Sequence, residues 1–300
     1  MLTKATAGAL LALALAACAS TSASDLGLTI TSVRDLNREI ATAHRVTIAA
    51  FTLFPNQATT RALVAARLRG ARVVVILAPN AFGAARRANQ RTASLLRSAG
   101  VVVQRARADT HLKAALTDGT TWLSDTNFSA AGYVIRDTIP GDATIVADAV
   151  AGRPASNDHL WTTKAGALAA EARVVMTRAS RSLDVASESF GGGTALYRAL
   201  LWRARIGDRV RLLVAAREER RSRRERRALA RLTAAGVQVR LDSDDAKEAV
   251  DGADVWLGSA NGTAALPGQI ESGLALRSAA IAAAVRERFS QDWARSVAGV

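Results

Sequence analysis

The chain has 300 residues, a length that suits one large domain or two domains of ordinary size. Hydrophobic residues make up 49% of it, which provides for a substantial core and excludes a largely disordered chain. The formal net charge of +14 favours anionic partners, such as lipid head groups, nucleic acid or cell-wall polymers. Lysine occurs at only four of the 40 basic positions, so a lysine that recurs in a pattern is informative.

The N-terminus predicts an export signal. Lys4 is a short positive region, and the apolar run of about ten residues that follows is too short to span a bilayer. The run ends at Cys18, the single cysteine, so disulfides within the chain are excluded. The segment resembles a bacterial lipoprotein signal, which implies removal of residues 1–17 and membrane anchoring in the cell envelope through lipidated Cys18. The plain alternative is a secretory signal followed by a buried cysteine. Residues 18–30 are expected to be a linker.

Strand-like and helix-like patterns alternate along the first half. Apolar runs typical of buried strands cover 46–54, 72–79 and 101–106, and helical spacing with a terminal glycine covers 61–70 and 92–100. The stretch HLKAALTDGTTWLSDTN follows at 111–127. This alternation predicts βαβ units and a mainly parallel sheet.

The second half repeats the same order. Strand patterns cover 183–190, 209–216 and 237–241, helix patterns cover 197–207 and 227–236, and DDAKEAVDGADVWLGSANGT follows at 244–263. At an offset of 134, the matched positions are Lys113 with Lys247, Trp122-Leu123 with Trp256-Leu257, Asn127 with Asn261, and Ser129 with Thr263. The arginine-rich run 217–232 is expected to be a solvated helix, because glutamates are interleaved at helical spacing.

The repeat predicts an α/β fold of two pseudo-equivalent α/β/α halves, residues 31–150 and 151–300, each with a mainly parallel, mixed sheet. The boundary falls in the proline-containing segment 138–165. Packing about a pseudo-twofold axis would bring the two motifs face to face and place the active site at the interface.

The motif His111-x-Lys113-x4-Asp118, followed by Ser124-Asp125-Thr126-Asn127, resembles the HxKx4D…GSxN motif of the phospholipase D superfamily. The second-half residues 258–261 read GSAN and match GSxN letter for letter. The resemblance covers roughly residues 30–295. It implies cleavage of a phosphodiester through a phosphohistidine, a covalent route that divides one difficult step into two. It implies no metal or other cofactor.

The resemblance also assigns roles. His111 is the expected nucleophile, and Glu271 is the carboxylate expected to orient its imidazole across the axis. The phosphate ligands are expected to be Lys113, Lys247, Asn127 and Asn261, with Ser259 assisting, because these donors suit the charge that develops on the phosphoryl oxygens. Asp118 is expected to be structural. Asp137 stands ten residues past Asn127, as Glu271 does past Asn261, and is interpreted as its counterpart.

The pattern departs from the family at the second histidine, the expected general acid, whose position is Asp245. Four explanations stay open. Asp245 acts as the acid, since crowded carboxylates raise one another's pKa; His159 folds into the site; two chains pair their His111 sites; or the protein binds phosphate without turnover. In addition, Asp125 stands where the first GSxN has serine.

These observations lead to three functional hypotheses. The first is a membrane-anchored phosphodiesterase or phosphatidyltransferase of the phospholipase D type that acts on phospholipids or other phosphodiesters. The second is an extracytoplasmic nuclease of the same superfamily, which the basic charge supports. The third is an inactive phosphate- or lipid-binding lipoprotein. The oligomeric state does not follow from the sequence.

Overall fold

A computed structural model describes residues 27–128, 132–216, 223–242, 245–265 and 268–298. Cys18 and the expected export signal lie outside these ranges, so lipidation stays a prediction. Among the described helices, none combines the length and apolarity needed to cross a membrane.

The first half is built from strands and helices that follow one another in the predicted order. Its described elements are β1 (Leu28–Thr31), α1 (Val33–Thr42), β2 (Arg45–Ala50), α2 (Ala58–Leu68), β3 (Arg72–Leu77), α3 (Gly83–Ser98), β4 (Val102–Arg105), β5 (Ala114–Thr117), β6 (Thr120–Ser124), β7 (Val134–Asp137) and α4 (Asp142–Val150). Since β1 begins at Leu28, the end of the expected linker already belongs to the fold.

The second half repeats this order and adds one short strand. Its described elements are β8 (Leu160–Thr163), α5 (Lys164–Thr177), β9 (Ser182–Ser187), α6 (Ala195–Arg205), β10 (Arg209–Ala215), α7 (Arg223–Ala234), β11 (Gln238–Asp242), β12 (Glu248–Asp251), β13 (Asp254–Gly258), β14 (Ile270–Arg277), α8 (Ala279–Arg295) and β15 (Val297–Ala298). The described part of the arginine-rich run lies in α7, which buries Ala228, Leu229 and Leu232 on one face.

Each half has its own mixed sheet, and the two sheets share one strand order. The first runs β1-β7-β6-β5-β2-β3-β4, and the second runs β8-β14-β13-β12-β9-β10-β11 with β15 added at its edge. The prediction of two α/β halves with mixed sheets is therefore confirmed. The expectation that these sheets are mainly parallel is wrong. Parallel pairing joins β2 to β3, β3 to β4, β9 to β10 and β10 to β11, and the other strand pairs of the described residues are antiparallel.

The two sheets are covered by helices outside and by each other inside. Helices α1, α2 and α3 pack on the first sheet, and α5, α6 and α7 pack on the second. A further hydrophobic cluster joins the inner faces of the two sheets and includes Leu112, Ile135, Leu257 and Leu274. Strands covered on both faces need near-continuous apolar sequence, which explains the runs of β2, β3, β9 and β10. This central packing brings the loops after β2 and β9 together.

Candidate active site

His111 is held at the boundary between the halves. Its backbone N–H donates to the carbonyl of Ile270 at 2.8 Å, and the N–H of Ile270 donates to the backbone carbonyl of Asp109 at 2.8 Å. These bonds set the histidine beside Glu271, whose Oε2 lies 3.2 Å from imidazole Nδ1. The ring of Phe51 packs edge-on against the imidazole at 4.8 Å between centroids. A carboxylate on Nδ1 favours the tautomer in which Nε2 carries the lone pair.

Glu271 is fully buried and keeps its negative charge through its neighbours. Ser259 Oγ donates to its Oε2 at 2.6 Å and itself accepts the N–H of Ser272 at 2.8 Å. Burial opposes ionisation, but the charges of His111 and Lys113 and these hydrogen bonds outweigh it and lower the pKa of Glu271. The hydroxyl of Ser259 therefore supports the carboxylate, and its assistance to the phosphate stays a prediction.

Lys113 lies over the face of the imidazole. Its Nζ is 3.0 Å from His111 Nδ1 and 3.2 Å from His111 Nε2. If Nζ lay in the plane of the imidazole at these distances, it would overlap the ring atom Cε1, so it must lie above the ring. Burial, followed by the positive charge of Lys247, lowers the pKa of Lys113 to about 7, although nearby carboxylates oppose the shift. Its charge near neutral pH therefore depends on an anion in the site.

Lys247 is equally buried but is surrounded by acceptors. Its Nζ lies 3.1 Å from Glu188 Oε2, 2.6 Å from the carbonyl of Asp245 and 3.3 Å from the carbonyl of Asp125. Burial lowers the pKa of Lys247, but the charges of these three acidic residues raise it by more. The net effect is a pKa above the usual value for lysine. Asp245, the expected substitute acid, therefore lies in the site, partly buried, with its carbonyl toward the lysine.

The two motif asparagines stand at the ends of equivalent strands. Asn127 Oδ1 accepts the backbone N–H of Thr52 at 3.1 Å, so its nitrogen is the end suited to a phosphate oxygen. Asn261 Nδ2 lies 3.5 Å from Glu188 Oε2. Both amides therefore lie beside the loops that follow β2 and β9.

The third lysine of the described residues also approaches this site. Lys164, at the start of α5, donates to Thr263 Oγ1 at 3.1 Å. Burial lowers its pKa, while the charges of Glu271 and Asp109 oppose the shift. Every lysine of the described residues is therefore near the site, although only two belong to the motif.

Glu188 is a site residue that the sequence analysis missed. It follows β9 directly, as Phe51 follows β2, and its carboxylate contacts Lys247 and Asn261. Burial favours the neutral acid, but Lys247, Lys113 and His111 lower the pKa of Glu188 well below its usual range. The alignment of the two strand patterns could have identified Glu188, since it is a charged residue at the end of an otherwise apolar strand pattern.

Asp125 points away from the phosphate ligands. Its Oδ1 accepts the N–H of Tyr133 at 2.8 Å, and its Oδ2 lies 3.4 Å from Arg288 of α8. The first bond corresponds to the bond from Ser272 to Ser259 in the other half. The carboxylate that replaces the motif serine is thus paired with Arg288, although its charge still acts on Lys113 and Lys247.

The strand registers correct the interpretation of Asp137. Ser124 of β6 pairs with Val134, whereas Gly258 of β13 pairs with Gly273. The connection is therefore longer in the second half, and equal distances from the two asparagines do not mark equivalent positions. Asp137 is not the counterpart of Glu271.

The position equivalent to Glu271 is Gly132. A Cβ there would lie 2.0 Å from Thr126 Oγ1 and 2.7 Å from Asp125 Oδ1, so a larger residue does not fit. The second half thus lacks a histidine, at Asp245, and the first half lacks the carboxylate that would face it, at Gly132. The two losses remove one complete histidine–carboxylate pair.

Asp137 belongs instead to a separate buried group. It accepts the N–H of Ile139 at 2.8 Å, and burial together with Asp142 raises its pKa to about 7. His159 pairs with Asp142 at 2.7 Å, and the hydrogen bond to Asp142 raises the pKa of His159. His159 therefore does not replace the missing histidine.

Asp118 has the structural place that the motif implies. It sits at the hairpin between β5 and β6 with φ +46° and accepts the N–H groups of His44 and Arg45 at 2.9 and 2.8 Å. In the second half, Asp251 accepts the N–H groups of Ala179 and Ser180 in the same way. Each aspartate ties its hairpin to the start of the central strand.

Within the described ranges, no group of three or more histidine, cysteine or acidic side chains is arranged to hold a metal ion. The groups gathered around His111 are instead suited to nucleophilic attack on phosphorus beside cationic and amide donors.

Comparison with known proteins agrees with this geometry. A sequence model of the family described as "Cardiolipin synthase, PLD-like domain" matches residues 36–137 and 173–293, one segment in each half. No curated protein sequence matches significantly. Phosphatidylserine synthase from Haemophilus influenzae Rd KW20 has a similar fold, with a TM-score of 0.67 at 13% identity over 94% of this chain and 89% of that chain.

Polyphosphate kinase from Porphyromonas gingivalis is also similar, with a TM-score of 0.60 at 14% identity over 88% of this chain. The present chain spans 50% of that kinase. These two likenesses concern the fold, whereas the family match covers most of the chain and includes both motifs. The chain therefore belongs to the phospholipase D superfamily, in the family of PLD-like domains.

Proposed function

We propose that the protein cleaves or transfers phosphodiester bonds of phospholipids through a phosphohistidine at His111. The observation that carries the proposal is the pairing of His111 with Glu271 across the two halves, beside Lys113 and Lys247. Such a pairing gives the imidazole a fixed tautomer and a neighbour that stabilises its cation.

In this mechanism, Nε2 of His111 attacks phosphorus while Nδ1–H donates to Glu271. The two lysines and the amide nitrogens of Asn127 and Asn261 stabilise the nonbridging oxygens as charge builds on them. Because its pKa is about 7, Lys113 is expected to gain a proton when the anionic phosphate binds.

The substrate class is proposed from three observations. The family description names cardiolipin synthase, and the structural neighbour of matching length is a phosphatidylserine synthase. The chain is strongly basic, which favours anionic lipid surfaces. Lipidation of Cys18, if the N-terminal signal is processed as expected, would anchor the protein at a membrane beside its substrate.

Trapping of the covalent intermediate tests this function. The protein is mixed with phosphatidylglycerol that carries radioactive phosphorus, and the reaction is stopped in base, where phosphohistidine survives. We expect label on the wild type and none on His111→Ala. His44→Ala is the matched control, because the His44 side chain is 93% exposed and distant from the site.

Two results would contradict the proposal. Binding of inorganic phosphate without label from any phosphodiester would assign a binding protein. Cleavage of single-stranded DNA without head-group release from liposomes would assign a nuclease.

A further inference from the structure

We propose that Glu188 is the catalytic acid and base that replaces the missing second histidine; this rests on the proposed phosphodiesterase function. Its position in the fold is the first argument. Ala49 of β2 pairs with Ala114, and Ala186 of β9 pairs with Glu248, so the strand ends of the two halves align. Two residues past each alanine stand Phe51 and Glu188.

The two residues face equivalent places. Phe51 packs against His111 at 4.8 Å between ring centroids. The residue equivalent to His111 is Asp245, whose side chain is shorter than imidazole and whose carbonyl accepts from Lys247, the partner of Glu188. In the second half, a carboxylate therefore extends from the strand end toward the place that a second histidine would fill.

The contacts of Glu188 are the second argument. Its Oε2 lies 3.1 Å from Lys247 Nζ and 3.5 Å from Asn261 Nδ2, and both partners are expected phosphate ligands. The side chain is 17% exposed, so it lines an accessible part of the site. A carboxyl group at this place lies within reach of the oxygens of a bound phosphodiester.

Asp245 is a weaker candidate on the same contacts. Its backbone carbonyl accepts from Lys247 at 2.6 Å and its charge raises the pKa of that lysine, whereas the Glu188 carboxylate pairs with Lys247 directly at 3.1 Å. The charge of Glu188 also raises the pKa of Lys113, and the charge of His111 lowers the pKa of Glu188. It thus belongs electrostatically to both motifs.

Substrate binding favours protonation of Glu188, and solvent supplies the proton. The charges of the lysines lower the pKa of Glu188 and keep it ionised. A phosphodiester anion engages those lysines and adds negative charge beside the carboxylate. The negative charge of the phosphodiester raises the pKa of Glu188, against the opposing effect of the proton that Lys113 gains, and favours uptake of a proton from solvent.

The reaction passes through two transfers of the phosphoryl group. The lone pair of His111 Nε2 forms the N–P bond, the P–O bond to the leaving alcohol breaks, and that oxygen takes the Glu188 proton. Water or an acceptor alcohol then gives a proton to the Glu188 carboxylate. At the same time, the oxygen of that water or alcohol forms a new P–O bond. The N–P bond breaks and returns His111 to its starting state.

Two substrates with different leaving groups test the assignment. Phosphatidylglycerol releases an alkoxide that needs a proton, whereas bis(para-nitrophenyl) phosphate releases a phenolate that does not. In Glu188→Gln we expect phosphohistidine formation from the lipid to slow by about 100-fold or more. The burst of para-nitrophenol should persist, followed by slow turnover because the base of the second step is also lost.

Controls separate this proposal from the function beneath it. A burst in the wild type that disappears in His111→Ala establishes the covalent route whatever Glu188 does. With that burst present, equal loss on both substrates, or unchanged rates with tighter binding of inorganic phosphate, would overturn the role of Glu188. Loss of the lipid reaction in Asp245→Asn, with Glu188→Gln active, would transfer the role to Asp245. Absence of any burst in the wild type would refute the function itself.

Discussion

Replacement of Glu271 by glutamine tests how much of the reactivity of His111 depends on a negative charge. The two side chains have nearly the same shape, so the change removes the charge while keeping an acceptor oxygen. The carbonyl of Ser259, 3.1 Å from Nδ1, also stays in place. The favoured tautomer of His111 is therefore expected to survive in Glu271→Gln.

The size of the effect follows from that remaining carbonyl. Loss of the tautomer costs about 10⁴-fold in a serine protease triad, and this loss is not expected here. What disappears is a charge-assisted hydrogen bond to the imidazolium, worth about 1.5–3 kcal/mol. Since a factor of ten corresponds to about 1.4 kcal/mol, phosphohistidine formation should slow by about 10- to 150-fold.

A single-turnover measurement of phosphohistidine formation provides the assay. Glu287→Gln, a change at an exposed position of α8, is the matched control and should match the wild type. An unchanged rate in Glu271→Gln would show that the carboxylate does not act on His111. A loss as complete as that of His111→Ala, in a folded protein, would show that Ser259 does not hold the tautomer.

Three further outcomes are expected. Lys113 loses its charge as the pH rises through its pKa of about 7, so inorganic phosphate should bind more weakly above neutrality. Binding should also be accompanied by uptake of a proton at Lys113, which calorimetry in buffers of different ionisation enthalpy would detect. Burial raises the pKa of Glu248 from 4.5 to about 8. Between these pH values the unfolded state releases a proton that the folded state keeps, so the folded state loses stability as the pH rises. Glu248→Gln removes this loss and should raise the Tm at pH 8 but not at pH 4. Gly132→Ala should lower the free energy of unfolding by about 1–3 kcal/mol, and Thr126→Ala in the same chain should recover part of it in a double-mutant cycle.

The sequence predicted the central part of each half well, because buried strands and glycine-terminated helices leave strong periodic patterns. It did not predict β1 or β8, which have four residues each and lie outside the matched stretches. It also predicted too much parallel pairing. The hairpins that contain the motifs, β5-β6-β7 and β12-β13-β14, are antiparallel and follow turns whose direction periodicity does not reveal.

The motif predicted that His111, Glu271 and the two lysines lie near one another, and the structure brings them together, although their roles stay predictions. Among them, only the lysines keep the same spacing in both halves. It misplaced Asp137 because the second connection contains additional residues that only the strand register reveals. Glu188 lies outside the motif, and its importance depends on a contact between distant segments. Such contacts follow from packing and leave no local spacing to read.

The unequal halves have a consequence for how such a site can change. In a dimer of two identical shorter chains, replacing one histidine would replace its symmetry mate as well, and both reacting positions would be lost at once. Here the two positions are encoded separately in one chain. Asp245, Gly132 and Glu188 can therefore differ from their counterparts while His111 and Glu271 stay intact. Covalent fusion makes the nucleophile side and the leaving-group side independently adjustable, in evolution and in design.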